Sequence, residues 1–434
     1  MGRNLGGIDW VLLPNTFRDA IDFTRRLELR FLWIDSICII QDSDQDWQQQ
    51  SALMGDIYGG AYITLCATAS PNSDEGLYVP LFEHQQPYNI EVQGPEDLLY
   101  SVNVETALKD SHMPPWRQSY YDSFKNMSGF PVIDRAWAFQ ERVLSPRLLH
   151  FCSKAYYPTK PHGPSRLLAN YKGSYKRLVA AVNPQPQYKR NSESQWDKVV
   201  NAYSSLHLTR DSDRLPALSG IAKREQTLRG GDQYLAGLWK KTLIYDMLWH
   251  SARSGTATRL NPKRVPSWSW AAVHGRVEYY EYNRQAGEMC TVIEAATTLA
   301  GSDPTGEVSG GHILLSGPTA VVEYSEVEQR PILGRGEDSH GFSVDCDDDF
   351  HFKKGQAARI QVGDNLTCLG VILPRWGNDK IFVLILRLCE SAERSGPKTY
   401  KRVGCIETSA YNTHFYKFRK RYWTGIPEET LRIV

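Results

Sequence analysis

The sequence has almost no surplus of charge. Lys plus Arg is 50 and Asp plus Glu is 49, a formal charge of +1. So even a balance gives no electrostatic footprint for a polyanion, and no nucleic-acid partner is expected. Long apolar runs are also missing. The longest candidate, Ile381 to Cys389, is strand-sized and is interrupted by Arg387, far short of the ~20 apolar residues that a spanning helix needs. No membrane span is expected. The opening MGRNLGGIDW lacks the charged-then-apolar layout of a secretion signal. Gly6 stands where a myristoylation pattern needs Ser or Thr. The 8 cysteines show no Cys-x-x-Cys spacing, which fits reduced thiols and a cytoplasmic location. Gly-x-Ser-x-Gly, His-Glu-x-x-His, Gly-x-Gly-x-x-Gly and a phosphate loop are all absent. Serine hydrolases, zinc proteases, Rossmann oxidoreductases and nucleoside triphosphatases in their usual forms are therefore disfavoured. No metal and no cofactor is expected.

What is present is an ordinary globular composition, 41% hydrophobic and 23% charged over 434 residues, enough for two or three structural units. Helix and strand patterns alternate at the start. Phe17, Ala20, Ile21, Thr24 and Leu27 share a helical face, and the short apolar run Phe31 to Ile34 has the look of a buried parallel strand ending at Asp35. Trp47, Met54, Ile57 and Tyr58 fall at helical spacing, and Ala61 to Ala69 is β-rich. Strand, helix, strand implies a crossover and a parallel sheet. The organisation expected is an α/β domain at 1–155, a Pro- and Lys-rich linker at 156–192, a helical segment at 193–260 and a β-rich C-terminal domain, sandwich or open barrel, at 261–434. Leu235 to Trp249 is expected to be helical, and Ser267 to Tyr282 a strand.

Particular residues carry a resemblance. Leu32-Trp-Ile-Asp-Ser-Ile-Cys-Ile-Ile-Gln41, Asp46-Trp47, Met54-Gly-Asp-Ile-Tyr58 and the later run Arg135 to Arg147 (RAWAFQERVLSPR) resemble the heterokaryon incompatibility (HET) domain of filamentous fungi. Asp213 to Ala222, Tyr234 to Trp239, Pro266 to Ala271 and Gly306 to Gly310 are similar to the region that follows this domain in large HET proteins. The resemblance implies a role in self/non-self recognition or cell death when incompatible cells fuse. It also implies a TIR-like fold, some of whose members hydrolyse NAD. Three departures stand out. The family's usual opening strand would lie before this sequence begins. Gln50 stands where a Glu is usual. Ala155-Tyr-Tyr-Pro158 replaces a Trp-Glu-Cys-like strand.

The candidate site residues fall into two groups. In an open α/β sheet, ligands sit beyond the carboxyl ends of strands, so Asp35, Cys38 and Gln41 stand where a site is expected; the plainer alternative is a turn cap and a core thiol. Arg135, Trp137 and Glu141 open a helix, and a carboxyl beside Trp137 can have a raised pKa that suits a general acid. The alternative is a structural ion pair. In the second group, Asp246 and His250 are four apart on an expected helix, where a carboxylate can fix an imidazole tautomer. Trp249, Trp268, Trp270 and His274 can line an aromatic pocket for a small apolar ligand, or fill a core. The acidic run Asp345 to Asp349 reads as a solvated loop, and Tyr416 to Trp423 as an edge strand. The functional readings are accordingly a HET-family effector acting through other proteins or a TIR-like activity, a repurposed cofactor-free cyclase, isomerase or lyase of secondary metabolism acting on a small apolar molecule, and a binding module without activity.

Overall fold

The computed structural model describes residues 7–78, 88–93, 99–104, 131–151, 156–158, 196–252, 257–260, 264–280, 287–327, 330–334, 340–345, 360–373, 380–389, 396–409, 417, 426 and 428–434. The tail at 416–423, the acidic run beyond Asp345 and residues 159–192 of the expected linker lie outside this set, apart from Lys417. The chain divides into two compact units, 1–187 and 188–434.

The first unit begins with helix α1 (Asn15–Arg26). Its buried Ala20 and its Phe23 pack on Leu77 and Phe151, with the Phe23 and Phe151 rings edge-to-face at 5.5 Å. The Asp19 carboxylate accepts from Leu77 N (2.8 Å) and pins the 72–78 loop to this helix. Helix α2 (Asp35–Cys38) is a single turn, and helix α3 (Asp44–Gly60) is capped by Ser43, whose hydroxyl accepts from Asp46 N at 3.2 Å. Strand β1 (Thr64–Cys66) follows, then the hairpin β2 (Tyr88–Gln93) and β3 (Leu99–Val104), helix α4 (Ala136–Leu144), β4 (Leu148–Phe151) and β5 (Tyr156–Pro158).

The expected parallel sheet is reduced to one pair among the described residues. β1 and β4 run parallel in the register Thr64↔Leu148, and β5 adds antiparallel. The segment Phe31–Ile34 is extended coil and joins no strand; Phe31 is 86% exposed. A four-residue apolar run cannot by itself distinguish a central strand from a connector. Tyr156–Pro158, expected at the start of the linker, is instead a strand.

In the second unit α5 (Trp196–Tyr203) and α6 (Ser219–Leu228) flank two short 3-10 turns. The stretch Leu235 to Trp249 is not a helix. β6 (Tyr234–Leu235) and β7 (Leu238–Trp239) form a tight hairpin, α7 (Leu243–Asp246) is one turn, and β8 (Trp249–Ser251) is a strand. The hairpin turn holds Ala236 at φ 45° and Gly237 at φ 98°, the paired left-handed geometry of a two-residue β-turn. A Cβ at Gly237 would lie 2.6 Å from Trp270 Nε1, so this position needs glycine for space as well as for its φ. β9 (Thr258–Arg259) pairs with β10 (Val273–His274), and β8 pairs with β11 (Val277–Tyr279). Ser267 to Tyr282 is thus not one strand: Trp268 lies in a turn and Trp270–Ala272 is a 3-10 turn.

The remaining strands are β12 (Gly287–Glu288), β13 (Thr291–Leu299), β14 (Val308–Val327), β15 (Arg330–Leu333), β16 (His340–Gly341), β17 (Ser343–Val344), β18 (Asn365–Leu373), β19 (Lys380–Leu388), β20 (Lys398–Ser409) and β21 (Glu428–Ile433). Their pairings close on themselves. β18 pairs with β19, β19 with β20, β20 with β21, β21 with β14, and β14 returns to β18. The long β14 makes this possible by changing partners: residues 313–318 pair with β21 and residues 319–323 with β18. The β-rich C-terminal region is therefore a closed barrel rather than a sandwich or an open one. β19 is buried on both sides, with Ile381 to Leu386 all at most 2% exposed.

Candidate functional site

In the first unit Asp35 and Glu141, two predicted site residues, interact electrostatically with each other and with Tyr58. Asp35 opens α2, where its carboxylate accepts from Ser36 N at 2.7 Å. Ile39 N and Cys38 N close the turn on Asp35 O (2.9 Å) and Ile34 O (2.8 Å). Glu141 lies on α4, which packs against α3, and Trp47 meets Trp137 edge-to-face at 6.3 Å. Tyr58, near the end of α3, stands edge-on to Trp33 at 5.6 Å and interacts electrostatically with the Glu141 carboxylate.

The electrostatics follow from this enclosure. Burial pushes the Glu141 carboxyl up to about 7, and the negative charge of Asp35 pushes in the same direction; Arg135, the Tyr58 hydroxyl and Arg142 oppose them. The Tyr58 phenol is raised by burial and then by Glu141 and Asp35, so it stays a donor. The arrangement is an acid that changes charge near neutrality beside a second carboxylate, which suits proton transfer. The raised Glu141 was expected from Trp137, but burial and Asp35 cause it. Tyr58 was missed as a site residue, because its helical spacing showed only that it faces inward.

The other predicted residues of this unit frame the cluster. Arg135 is exposed at the start of α4 and acts on Glu141 through charge. Gln41 Nε2 donates to Ile39 O (2.9 Å) and Asp35 O (3.3 Å), holding the turn. Cys38 is exposed rather than a core thiol. Gln50, at the position where a Glu is usual, donates to Asp46 Oδ1 at 3.5 Å. Behind the cluster, burial lowers His150 to about 3, helped by Arg142, and Thr68 Oγ1 lies 2.8 Å from its Nδ1.

In the second unit the predicted residues separate. Asp246 ends α7 and accepts from Trp239 N at 2.8 Å, closing the turn after the hairpin; burial raises it to about 7. His250 lies on β8 and not on that helix. It stacks on Tyr280 with ring centroids 4.1 Å apart, and its Nδ1 is 3.0 Å from Ser251 O. Trp249, Trp268 and Trp270 are each 0% exposed. Trp249 Nε1 donates to Trp268 O (2.9 Å) and Trp270 Nε1 to Gly237 O (2.9 Å). The Arg402 guanidinium sits 3.8 Å above the Trp249 ring, donates to Met247 O and Trp249 O, and forms an ion pair with Asp345 (2.9 Å). These indoles form a filled core, and the expected aromatic pocket is not seen among the described residues. Asp345, expected in a solvated loop, is 0% exposed. His274 is exposed and receives Arg214 Nη2 at 3.1 Å.

Among the described residues, no group of three His, Cys, Asp or Glu side chains converges as a metal site, and no helix is long and apolar enough to cross a membrane.

Residues 4–141 match the family model of the heterokaryon incompatibility protein (HET). The matched segment, about a third of the chain, runs from before α1 to Glu141 itself, so Asp35, Tyr58 and Glu141 all lie inside it. No curated protein and no solved structure matches the chain.

Proposed function

We propose that this protein is a self/non-self recognition or cell-death effector, and that its HET domain acts chemically through Asp35, Tyr58 and Glu141. The observation that carries the reading is the Glu141 carboxyl, held near 7 by burial and by Asp35. A TIR-like hydrolysis of NAD suits this pair. The glycosidic C–N bond breaks with its electrons leaving on nicotinamide, Asp35 faces the ribosyl cation, and water attacks the anomeric carbon while passing a proton to ionised Glu141. Induced expression of the full chain in a filamentous fungal host tests the reading. Growth arrest is expected from the wild type, together with nicotinamide release by the purified protein, and both are expected to be lost in Glu141→Gln and Asp35→Asn. Arrest that persists in both variants would overturn the chemical role and leave association with other proteins as the mode of action. Absence of arrest in the wild type would overturn the effector role.

A further inference from the structure

We propose that the second unit binds a small organic monophosphate in a two-chambered groove centred on Arg264. The larger chamber, about 270 Å³, has Arg214 and Arg264 in its walls over an apolar floor of Leu215, Leu260, Val265 and Val308. The smaller, about 110 Å³, shares Leu260, Arg264 and Val265 with it and is also lined by Arg259 and Lys401.

Charge assigns the chambers. Asp211 and Glu307 border the larger one, and Glu307 is bound to Arg264 at 3.0 Å. The smaller one is lined by three cations and by no acidic side chain, with the main chain of Val434 also at its border. Arg259 is already positioned there. Its side chain is 13% exposed, it donates to Arg402 O at 3.2 Å, and it lies 3.9 Å from the buried Asp345. Three cations lining one chamber match a phosphate monoester, which carries close to two negative charges and three acceptor oxygens, better than a carboxylate with one charge and two oxygens. The phosphate thus belongs in the smaller chamber, and the apolar body of the ligand lies across Leu260 in the larger. Arg214 forms a fixed wall of the larger chamber, being 2% exposed and tied to His274.

Calorimetric titration of the full chain with phenyl phosphate near pH 7 tests the assignment. Saturable binding is expected. Arg264→Gln and Lys401→Gln, both at exposed side chains, are each expected to weaken it about tenfold, the effect of losing one hydrogen bond to a charged group. Glu307→Gln, which releases Arg264, is expected to strengthen it. Circular dichroism checks that each variant is folded. No binding of phenyl phosphate, or unchanged affinity in both cation variants, would overturn the site. Inorganic phosphate binding as tightly as phenyl phosphate would overturn the placement of an apolar body in the larger chamber.

Discussion

The Tyr58 hydroxyl, on a different helix, favours the ionised Glu141 carboxylate, and the same carboxylate feels the negative charge of Asp35. One neighbour therefore favours the ionised form of Glu141 and the other opposes it.

The two neighbours have opposite effects when removed. Asp35→Asn removes the repulsion and is expected to lower the Glu141 pKa from about 7. Tyr58→Phe removes the hydroxyl that favours the ionised carboxylate and is expected to raise it. Carboxyl-carbon NMR titration of labelled Glu measures both. Shifts in the same direction would show that the cluster is misread.

Glu141 also makes stability depend on pH. Its folded pKa of about 7 lies above the ordinary 4.5, so between these values the folded state holds more protons than the unfolded one. Its stabilising influence is fully present below pH 4.5 and is lost as pH rises through 7. The total is at most about 3 kcal/mol. Glu141→Gln is expected to flatten this part of the urea-stability profile between pH 5 and 8. Asp246, raised to about 7 by burial, adds a slope of the same sign that the variant leaves in place.

Arg402 is matched to Asp345 with both groups at most 1% exposed. Arg402→Leu leaves the carboxylate buried without this partner and is expected to cost about 3–5 kcal/mol in chemical denaturation. Adding Asp345→Leu is expected to recover most of that loss, because two apolar groups need no ionic partner. A double variant no more stable than the single would refute the pairing energetics.

Gly237→Ala places a Cβ against Trp270, a side chain with 0% exposure, at φ 98°. Strain and overpacking together are expected to cost about 2–4 kcal/mol. Ala236→Gly, at φ 45°, relieves strain and is expected to gain up to about 1 kcal/mol. Thermal unfolding distinguishes the two, since their melting temperatures should move in opposite directions.

The HET motif was legible because it is spread over several specific runs, Leu32 to Gln41 and Arg135 to Arg147 among them. The meeting of Asp35 with Glu141 was not, since no periodicity relates residues so far apart in the chain. Phe31–Ile34 was misread because an apolar run carries no record of whether strand neighbours exist. The indoles of Trp249, Trp268 and Trp270 were rightly placed inside, yet composition cannot distinguish a lined cavity from a filled one. The filler was Arg402, distant in sequence and charged. The β-rich region was readable from its turn-bounded runs, but the ring closure was not, because it depends on β14 changing partners partway along its length.

That ring has an order of assembly built into it. β21 lies between β20, to which it is parallel, and β14, to which it is antiparallel. Both neighbours precede it in the chain, so during synthesis they wait with unpaired backbone until residues 428–433 emerge. Completion of the barrel is therefore a late event, and a nascent chain stalled before residue 428 exposes two adhesive edges.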